Sequence, residues 1–304
     1  MLKNKYLDNI IQRSISKPAR LILPEQHDIR IKEATEKLIQ LGFNVVDINS
    51  FSDNSLYLEH LKNKKFTNNW TDSMLSEYLL NPLNKSLLLL DLNQADCLVA
   101  GASTSTSNVI KSTLRIVGLN KKTKWVSSSF FLISPNCDKA FTYSDCGVIP
   151  DPDSEQLASI AYKASEMHRL ISGNSPKVAF LSFSTHGSAE HYKVKKVQKA
   201  VDIFKNKYPN ITHDGEIQFD AAIDPQVSIK KIPNSILNGN ANTFIFPDLN
   251  SANIAYKITQ YLAGYSSWGP LLQGFNKPVH DLSRGCSVED IISVSAIAMM
   301  QAIK

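Results

Sequence analysis

Near its C-terminus the chain places Ser283, Arg284, Gly285, Cys286 and Asp290 within eight residues, directly before an apolar run from Ile291 to Ile303. These residue types suit one kind of chemistry. A guanidinium beside a helix N-terminus makes a strong site for an oxyanion or a phosphate. The Ser283 hydroxyl can donate to a substrate oxygen, and the Asp290 carboxylate can take a proton as a base. Each residue also has a purely structural reading. Ser283 can serve as a turn hydroxyl. Ser287 and Asp290 have the spacing of a capping box, and a carboxylate that accepts backbone N–H bonds is a poorer base. Cys286 is a nucleophile by type, but a buried, inert cysteine is the commoner outcome.

Three other polar, small-residue stretches follow expected strands. After Ala100 come Gly101 to Asn108, where Ser103, Thr104 and Ser105 bring free backbone N–H groups to a helix N-terminus. An anion is favoured there, and plain N-capping is the alternative. After Phe183 come Ser184, Thr185, His186, Gly187 and Ser188, and after Phe246 come Pro247 to Asn250. In open α/β sheets, ligands sit outside the carboxyl ends of the strands. The three loops and the 276–290 segment therefore outline a cleft for a polar or anionic ligand. Ser184, Thr185, Asn276 and Lys277 are counted among its candidate contacts.

The elements that would position these loops alternate. Apolar runs predict strands at 20–24, 43–48, 96–100, 125–133, 140–143, 177–182, 217–222 and 243–246. Helical spacing predicts helices over 6–16, 29–41, 56–61, 71–80, 85–92, 109–117, 154–171 and 252–263, one after Tyr192, and a last one from about Ser287. Gly269 to Leu272 reads as an apolar loop, and Pro82 as an interruption between helices. Asp153 and Gln156 have capping-box spacing. This alternation predicts an α/β fold with parallel pairing. The hairpin at 125–143 marks a second domain from about residue 123.

Bulk properties narrow the function. A chain of 304 residues allows about two domains. The net charge of +5 suits attraction of anionic small molecules, and no basic, aromatic-interleaved stripe points to nucleic acid. The four cysteines lack CxxC spacing, so zinc is not expected and the thiols read as reduced, in a cytoplasm. The seven histidines lack ligand spacing, so no metal is expected. No apolar run reaches the roughly 18 residues of a membrane span. There is no G-x-G-x-x-G, Walker or G-x-S-x-G motif, which removes the most direct routes to dinucleotide, nucleotide and α/β-hydrolase chemistry.

Longer motifs carry a resemblance. They are Leu23-Pro24-Glu25, Ala95 to Ala102, Ser182 to Ser188, Asp214 to Ala222, Ala241 to Asn250, and Gly269 to Asp290. Together these resemble the phosphate acetyl/butyryltransferase family and, within it, the phosphate acetyltransferases (phosphotransacetylases). The match covers nearly the whole chain; it is thin from about 50 to 90 and dense in the second half. The resemblance implies reversible acetyl transfer between acetyl phosphate and coenzyme A, by direct thiolate attack in a ternary complex. It implies no permanently bound cofactor, with coenzyme A as a substrate. It also implies two α/β domains with an isocitrate/isopropylmalate dehydrogenase-like topology and an interdomain cleft. The first, discontinuous domain would be 1–122 plus 271–304; the second, 123–270, would carry dimerisation in a homodimer.

Carried over by motif, Asp290 looks like the base for the coenzyme A thiol and Ser283 like the donor to the attacked carbonyl. Arg284 looks like the binder of the acetyl phosphate oxygens, with Ser103 to Asn108 lining the same cleft. Lys111 stands where the family carries an arginine, and Lys65 is the nearest cation to a second one. Lysine keeps the charge but not the planar fork. His280 replaces a usual Asn, and Ala252 a usual Gly. The alternatives are a phosphate acyltransferase for longer chains such as butyryl, and a non-catalytic, acetyl-CoA-binding regulatory relative.

Overall fold

The computed structural model describes residues 4–51, 53–121 and 123–303. The chain divides into two compact units, one of 7–124 with 271–304 and the other of 125–270 with the N-terminal residues through Tyr6. The order begins α1 (Lys5–Ser14), β1 (Arg20–Ile22), α2 (Ile29–Gln40), β2 (Asn44–Val45), α3 (Ser55–Lys62), α4 (Asp72–Leu80), α5 (Pro82–Asp91), β3 (Cys97–Ala100) and α6 (Thr106–Ile116). Caps set several of these starts: Asp28 for α2, Thr71 for α4, Asn81 for α5 and Ser105 for α6 each accept a backbone N–H from the first turn. Pro82 therefore opens a helix, since a first-turn position needs no N–H donor. The strand expected over 43–48 is only two residues long, because Asp47 caps a 3-10 turn over Ile48–Ser50.

The middle of the chain forms β4 (Ser127–Ile133), β5 (Ala140–Ser144), α7 (Ser154–Ser172), β6 (Lys177–Leu181), α8 (Tyr192–Lys207), β7 (Thr212–Ile217), α9 (Phe219–Ile223), α10 (Pro225–Lys231), β8 (Thr243–Ile245), α11 (Leu249–Tyr261) and β9 (Ser266–Gln273). Two expectations are corrected here. The strand read at 217–222 is instead β7, ending at Ile217, followed by the short helix α9; Ala221 and Ala222, weak strand formers, pack inward from that helix. The apolar loop read at 269–272 is part of β9. That strand lies at the edge of its sheet, where Gly269 and Pro270 are tolerated. The chain then adds β10 (Val279–Asp281) and α12 (Val288–Ala302) to the first unit.

In the first unit the sheet order is β10-β3-β1-β2, and every pair is parallel. Helix α12 is buried from Ile291 through Met300 and packs on α2, β1, β3 and β10. A helix apolar on all sides belongs in a core. The 276–290 segment is consequently less polar in place than in sequence, since Val279, His280 and Asp281 are all buried. Parallel pairing brings the ends of β1, β3 and β10 to one edge. That edge carries the loops at Leu23–Asp28, Gly101–Ser105 and Leu282–Ser287.

In the second unit the order is β7-β6-β8-β5-β4-β9, with β4 and β5 antiparallel and β5, β8, β6 and β7 parallel. Strand β6 shows how both faces are covered. Ala179 and Leu181 join a core with Phe130, Tyr143 and Phe244, while Val178 and Phe180 join another with α7 and α8. Alternate residues of one strand feed opposite faces. Among the described residues no helix is long and apolar enough to cross a membrane.

Candidate active site

At the carboxyl edge of the first unit, β3 and β10 approach so closely that only glycine fits at 101. Gly101 has φ +111°, and a Cβ there would lie 2.2 Å from Asp281 Oδ1 and 2.6 Å from the Leu282 nitrogen. From the loop after the neighbouring strand β1, the buried Glu25 carboxylate reaches into the loop that follows β3. Its Oε2 accepts the N–H groups of Gly101 and Ala102, each at 2.8 Å. Its Oε1 accepts the N–H groups of Ser103 at 3.1 Å and Thr104 at 2.7 Å, and the Ser103 hydroxyl at 2.9 Å. The loop read as an anion site therefore does hold an anion, but it is the chain's own. Ser105 acts as the N-cap of α6. The donors of Ser103 and Thr104 are committed to Glu25, so these residues line the edge rather than offer a free nest.

The next loop along the edge is different. Ser283, Arg284 and Gly285 are exposed. Among the described residues, Ser283 Oγ accepts only a long bond from the Gly285 N–H, 3.4 Å, and the Arg284 guanidinium has no hydrogen-bond or ion-pair partner. Both side chains are thus unspent. Asp290 lies in the first turn of α12 and closes a true capping box. Its Oδ2 accepts the Ser287 N–H at 2.9 Å and the Ser287 hydroxyl at 2.8 Å, while its own N–H donates to Ser287 Oγ at 3.1 Å. The capping role is therefore real, yet it uses one oxygen. Among the described residues Oδ1 accepts no hydrogen bond, so one oxygen remains to take a proton.

Three buried groups stand behind this edge. Asp281 is fully buried and accepts a short bond from the Thr106 hydroxyl. Burial, with the Glu25 charge nearby, pushes its carboxyl up to about 7. His280, on the other face of β10, is also fully buried, and burial brings its imidazole down to about 4. It therefore does not sit in the polar surroundings its sequence neighbours suggest. Burial pushes the Cys286 thiol up to about 11, so at neutral pH it is not a thiolate and makes a poor nucleophile.

The remaining sequence candidates are dispersed. Lys111 is exposed on α6, and neither it nor Lys65 makes an ion pair among the described residues. Lys65 lies toward the far end of α6, since its neighbours Lys64 and Phe66 contact Ile116 and Arg115. Asn276 also belongs to that end, donating to the Val117 carbonyl at 2.9 Å. Lys277 donates to Asn93 Oδ1 at 2.6 Å, before β3 begins. A helix of α6's length separates its two ends by about 16 Å. The structure therefore does not bring Asn276 and Lys277 to the edge that carries Ser283 and Arg284.

Ser184 and Thr185 lie in the second unit and are buried. The Ser184 hydroxyl donates to Glu216 Oε1 at 2.9 Å and accepts the Ala189 N–H at 3.1 Å. Thr185 Oγ1 accepts the Gln218 N–H at 3.1 Å. Gly187 gives its N–H to the same Glu216 oxygen at 2.7 Å. Near the end of β5, Asp145 likewise accepts from Ser128, Gly147, Val148 and Ile149. Both hydroxyls proposed as substrate contacts are thus used in tying the loop to Glu216 and Gln218.

Sequence reasoning gave no individual role to Glu25, Asp28, Arg30 or Asp281, and placed Thr106 only within the 103–108 loop expected to line the cleft. Glu25 was visible as the acidic residue after a strand-ending proline. Asp28 pairs locally with Arg30. Arg30, Thr106 and Asp281 needed the strand order, because the backbone acceptors of Arg30 and the two members of the Thr106–Asp281 pair lie 72 or more residues apart in sequence.

A profile of the phosphate acetyl/butaryl transferase family matches residues 6–299. A phosphate acetyltransferase from Acetivibrio thermocellus is 38% identical, across 98% of this chain and 98% of its own. One from Staphylococcus aureus is 44% identical across 75% of this chain and 70% of its own. A solved phosphotransacetylase from Streptococcus pyogenes aligns with a TM-score of 0.91 at 31% identity, covering 100% of this chain and 99% of that one. A branched-chain phosphotransacylase from Enterococcus faecalis, at 20% identity and a TM-score of 0.67 over 93% of this chain and 99% of its own, is similar in fold.

Proposed function

The chain belongs to the phosphate acetyl/butaryl transferase family, and from that premise we propose that it transfers an acetyl group reversibly between acetyl phosphate and coenzyme A. The observation that carries the reading to particular residues is the pair of unspent side chains on the 283–285 turn beside the half-used Asp290 carboxylate. In the proposed step Asp290 Oδ1 takes the thiol proton. The thiolate sulfur bonds to the acetyl carbon, and the carbon–oxygen bond to phosphate breaks with its electron pair leaving on phosphate. A free thiol with a pKa of about 8.5 is mostly protonated at neutral pH, so a nearby base raises the attacking fraction. The Ser283 hydroxyl donates to the carbonyl oxygen as charge grows there. Arg284 holds the phosphate oxygens with its planar fork. No acyl-enzyme is required, which agrees with the raised thiol of Cys286.

Lys111 and Lys65 suit attraction of the anionic parts of coenzyme A, a long ligand able to reach along α6. A homodimer is proposed through the second unit. There α11 and its C-terminal residue expose Ile254, Ile258, Tyr261 and Leu262 at 58%, 52%, 79% and 83%, one face of the helix left without cover. The four unpaired cysteines suit a reducing cytoplasm. The reading is tested by following acetyl-CoA formation from acetyl phosphate and coenzyme A with purified protein, beside butyryl phosphate. Faster turnover of acetyl phosphate supports it. Preference for butyryl phosphate, or acetyl-CoA binding by calorimetry without turnover, rejects it in favour of the longer-chain or regulatory alternative.

A further inference from the structure

We propose that Arg30 is the positioning residue of the Ser283–Arg284 turn, tying that turn to the Gly101–Thr104 loop so that the two unspent side chains are presented in one fixed place. The inference rests on the functional reading above and adds a residue to it. Arg30 lies in the first turn of α2, at the same sheet edge. A guanidinium has five N–H donors in a rigid fork, and here all five are spent. Nε donates to Asp28 Oδ1 at 3.0 Å and Nη2 to Asp28 Oδ2 at 2.6 Å, a bidentate pair that fixes the plane of the group. The second Nη2 donor reaches the Ala102 carbonyl at 3.0 Å. The two Nη1 donors reach the carbonyls of Arg284 at 2.7 Å and Cys286 at 3.0 Å.

Two features make this a tie rather than ordinary surface pairing. First, the acceptors are three backbone carbonyls from two loops that adjoin in space but lie far apart in sequence. Ala102 is in the loop that Glu25 grips from its N–H side, so the loop is held by a carboxylate on its donors and a guanidinium on one acceptor. Second, the exposed 283–285 turn has little else to hold it. Its internal bonds are the Cys286 N–H to the Ser283 carbonyl, 2.9 Å, and the long Gly285 contact. Arg30 thus contrasts with Arg284. One guanidinium is wholly consumed by the fold and unable to meet a substrate; the other has no partner among the described residues. Lysine at 30 would bring three donors on one nitrogen and no fork, and cannot span the same three carbonyls.

The test uses Arg30→Ala and Arg30→Lys in the full chain, with two readouts. Hydrogen exchange should quicken in peptides covering 282–287 in both variants while α12 stays protected. Turnover of acetyl phosphate should fall on the order of 10²-fold in kcat, with little change in KM for coenzyme A. Added guanidinium ion should restore part of the rate of Arg30→Ala but not of Arg30→Lys. Unchanged exchange in 282–287 overturns the proposal. So does wild-type turnover in Arg30→Ala, or a loss that only follows the melting temperature and is not rescued. Should the wild type itself form no acetyl-CoA, the functional reading fails, and the exchange experiment still decides whether Arg30 holds the turn.

Discussion

In each unit a small-residue loop follows a parallel strand and closes around a buried carboxylate: Glu25 gathers Gly101 to Thr104, and Glu216 gathers Ser184 and Gly187. In sequence the two loops look alike, polar and rich in hydroxyls, and both read as ligand sites. In place they differ. The second unit's loop turns its hydroxyls inward, Ser184 onto Glu216 and Ser188, and Thr185 onto Gln218. The first unit's loop is also filled, but the strand beside it, β10, adds a turn with a weakly held hydroxyl and a guanidinium that has no partner among the described residues. A polar loop is therefore weak grounds for a site, because a fold must satisfy its own backbone donors first. Side chains left over after that accounting are stronger grounds.

The sharpest way to break this comparison is a pair of serine deletions. Ser283→Ala should lower kcat by about 10²–10³-fold and leave the melting temperature nearly unchanged. Ser184→Ala should do the reverse, costing about 1–3 kcal/mol of stability because Ala189 loses its acceptor and Glu216 a donor, with turnover kept. Equal rate losses in both variants would erase the distinction.

A somewhat smaller effect separates two neighbours on β10 by pH. Burial holds His280 at about 4, below its unfolded value near 6.5. Between those values the unfolded chain takes up a proton that the folded chain refuses, so stability falls as pH drops from about 6.5 to about 4, by roughly 3 kcal/mol in all. His280→Asn should remove that loss, and its melting temperature should gain on wild type as pH is lowered. Asp281 runs the other way. With its folded value at about 7, above the unfolded one, it holds a proton the unfolded chain has lost, and stability declines as pH rises from about 4 to about 7. Asp281→Asn should gain on wild type toward pH 8. Thermal melts of both variants from pH 4.5 to 8.5 read the two signs, and parallel curves would refute both assignments.

The smallest effect sharpens the structural half of the comparison. Glu25→Gln and Glu216→Gln each turn an acceptor oxygen into an amide NH2 facing N–H donors. Each should cost about 1–3 kcal/mol in denaturant melts, but only Glu25→Gln should also slow turnover, because its loop adjoins the Ser283 turn.

Much of this architecture was legible in the sequence. The strand–helix alternation, the caps at Asp153 and Ser287 and the apolar final helix follow from local rules, and the structure has them. The failures were also physical. Gly269 and Pro270 hid an edge strand, since turn residues are tolerated where a ladder ends. Asp220-Ala221-Ala222 hid a helix behind an apolar run. For the site, Ser283, Arg284 and Asp290 stood out because their types and spacing are local. Arg30 and Asp281 did not, because their partners are brought near only by the order β10-β3-β1. Asn276 and Lys277 were adjacent to the site in sequence and are parted from it by the direction of β10.

The double use of Asp290, observed as a cap through one oxygen and proposed as a base through the other, can be separated in one kinetic experiment. Acetyl-CoA formation from acetyl phosphate and coenzyme A is followed in wild type, Asp290→Asn and Ser287→Ala. Loss of the cap in Ser287→Ala should cost about 1 kcal/mol of stability with turnover largely kept. Loss of the base in Asp290→Asn should lower kcat by about 10²–10⁴-fold in a folded protein. If Asp290→Asn turns over like wild type, or both variants lose activity only in step with their melting temperatures, Asp290 is a cap alone and the proposed chemistry of this edge is wrong.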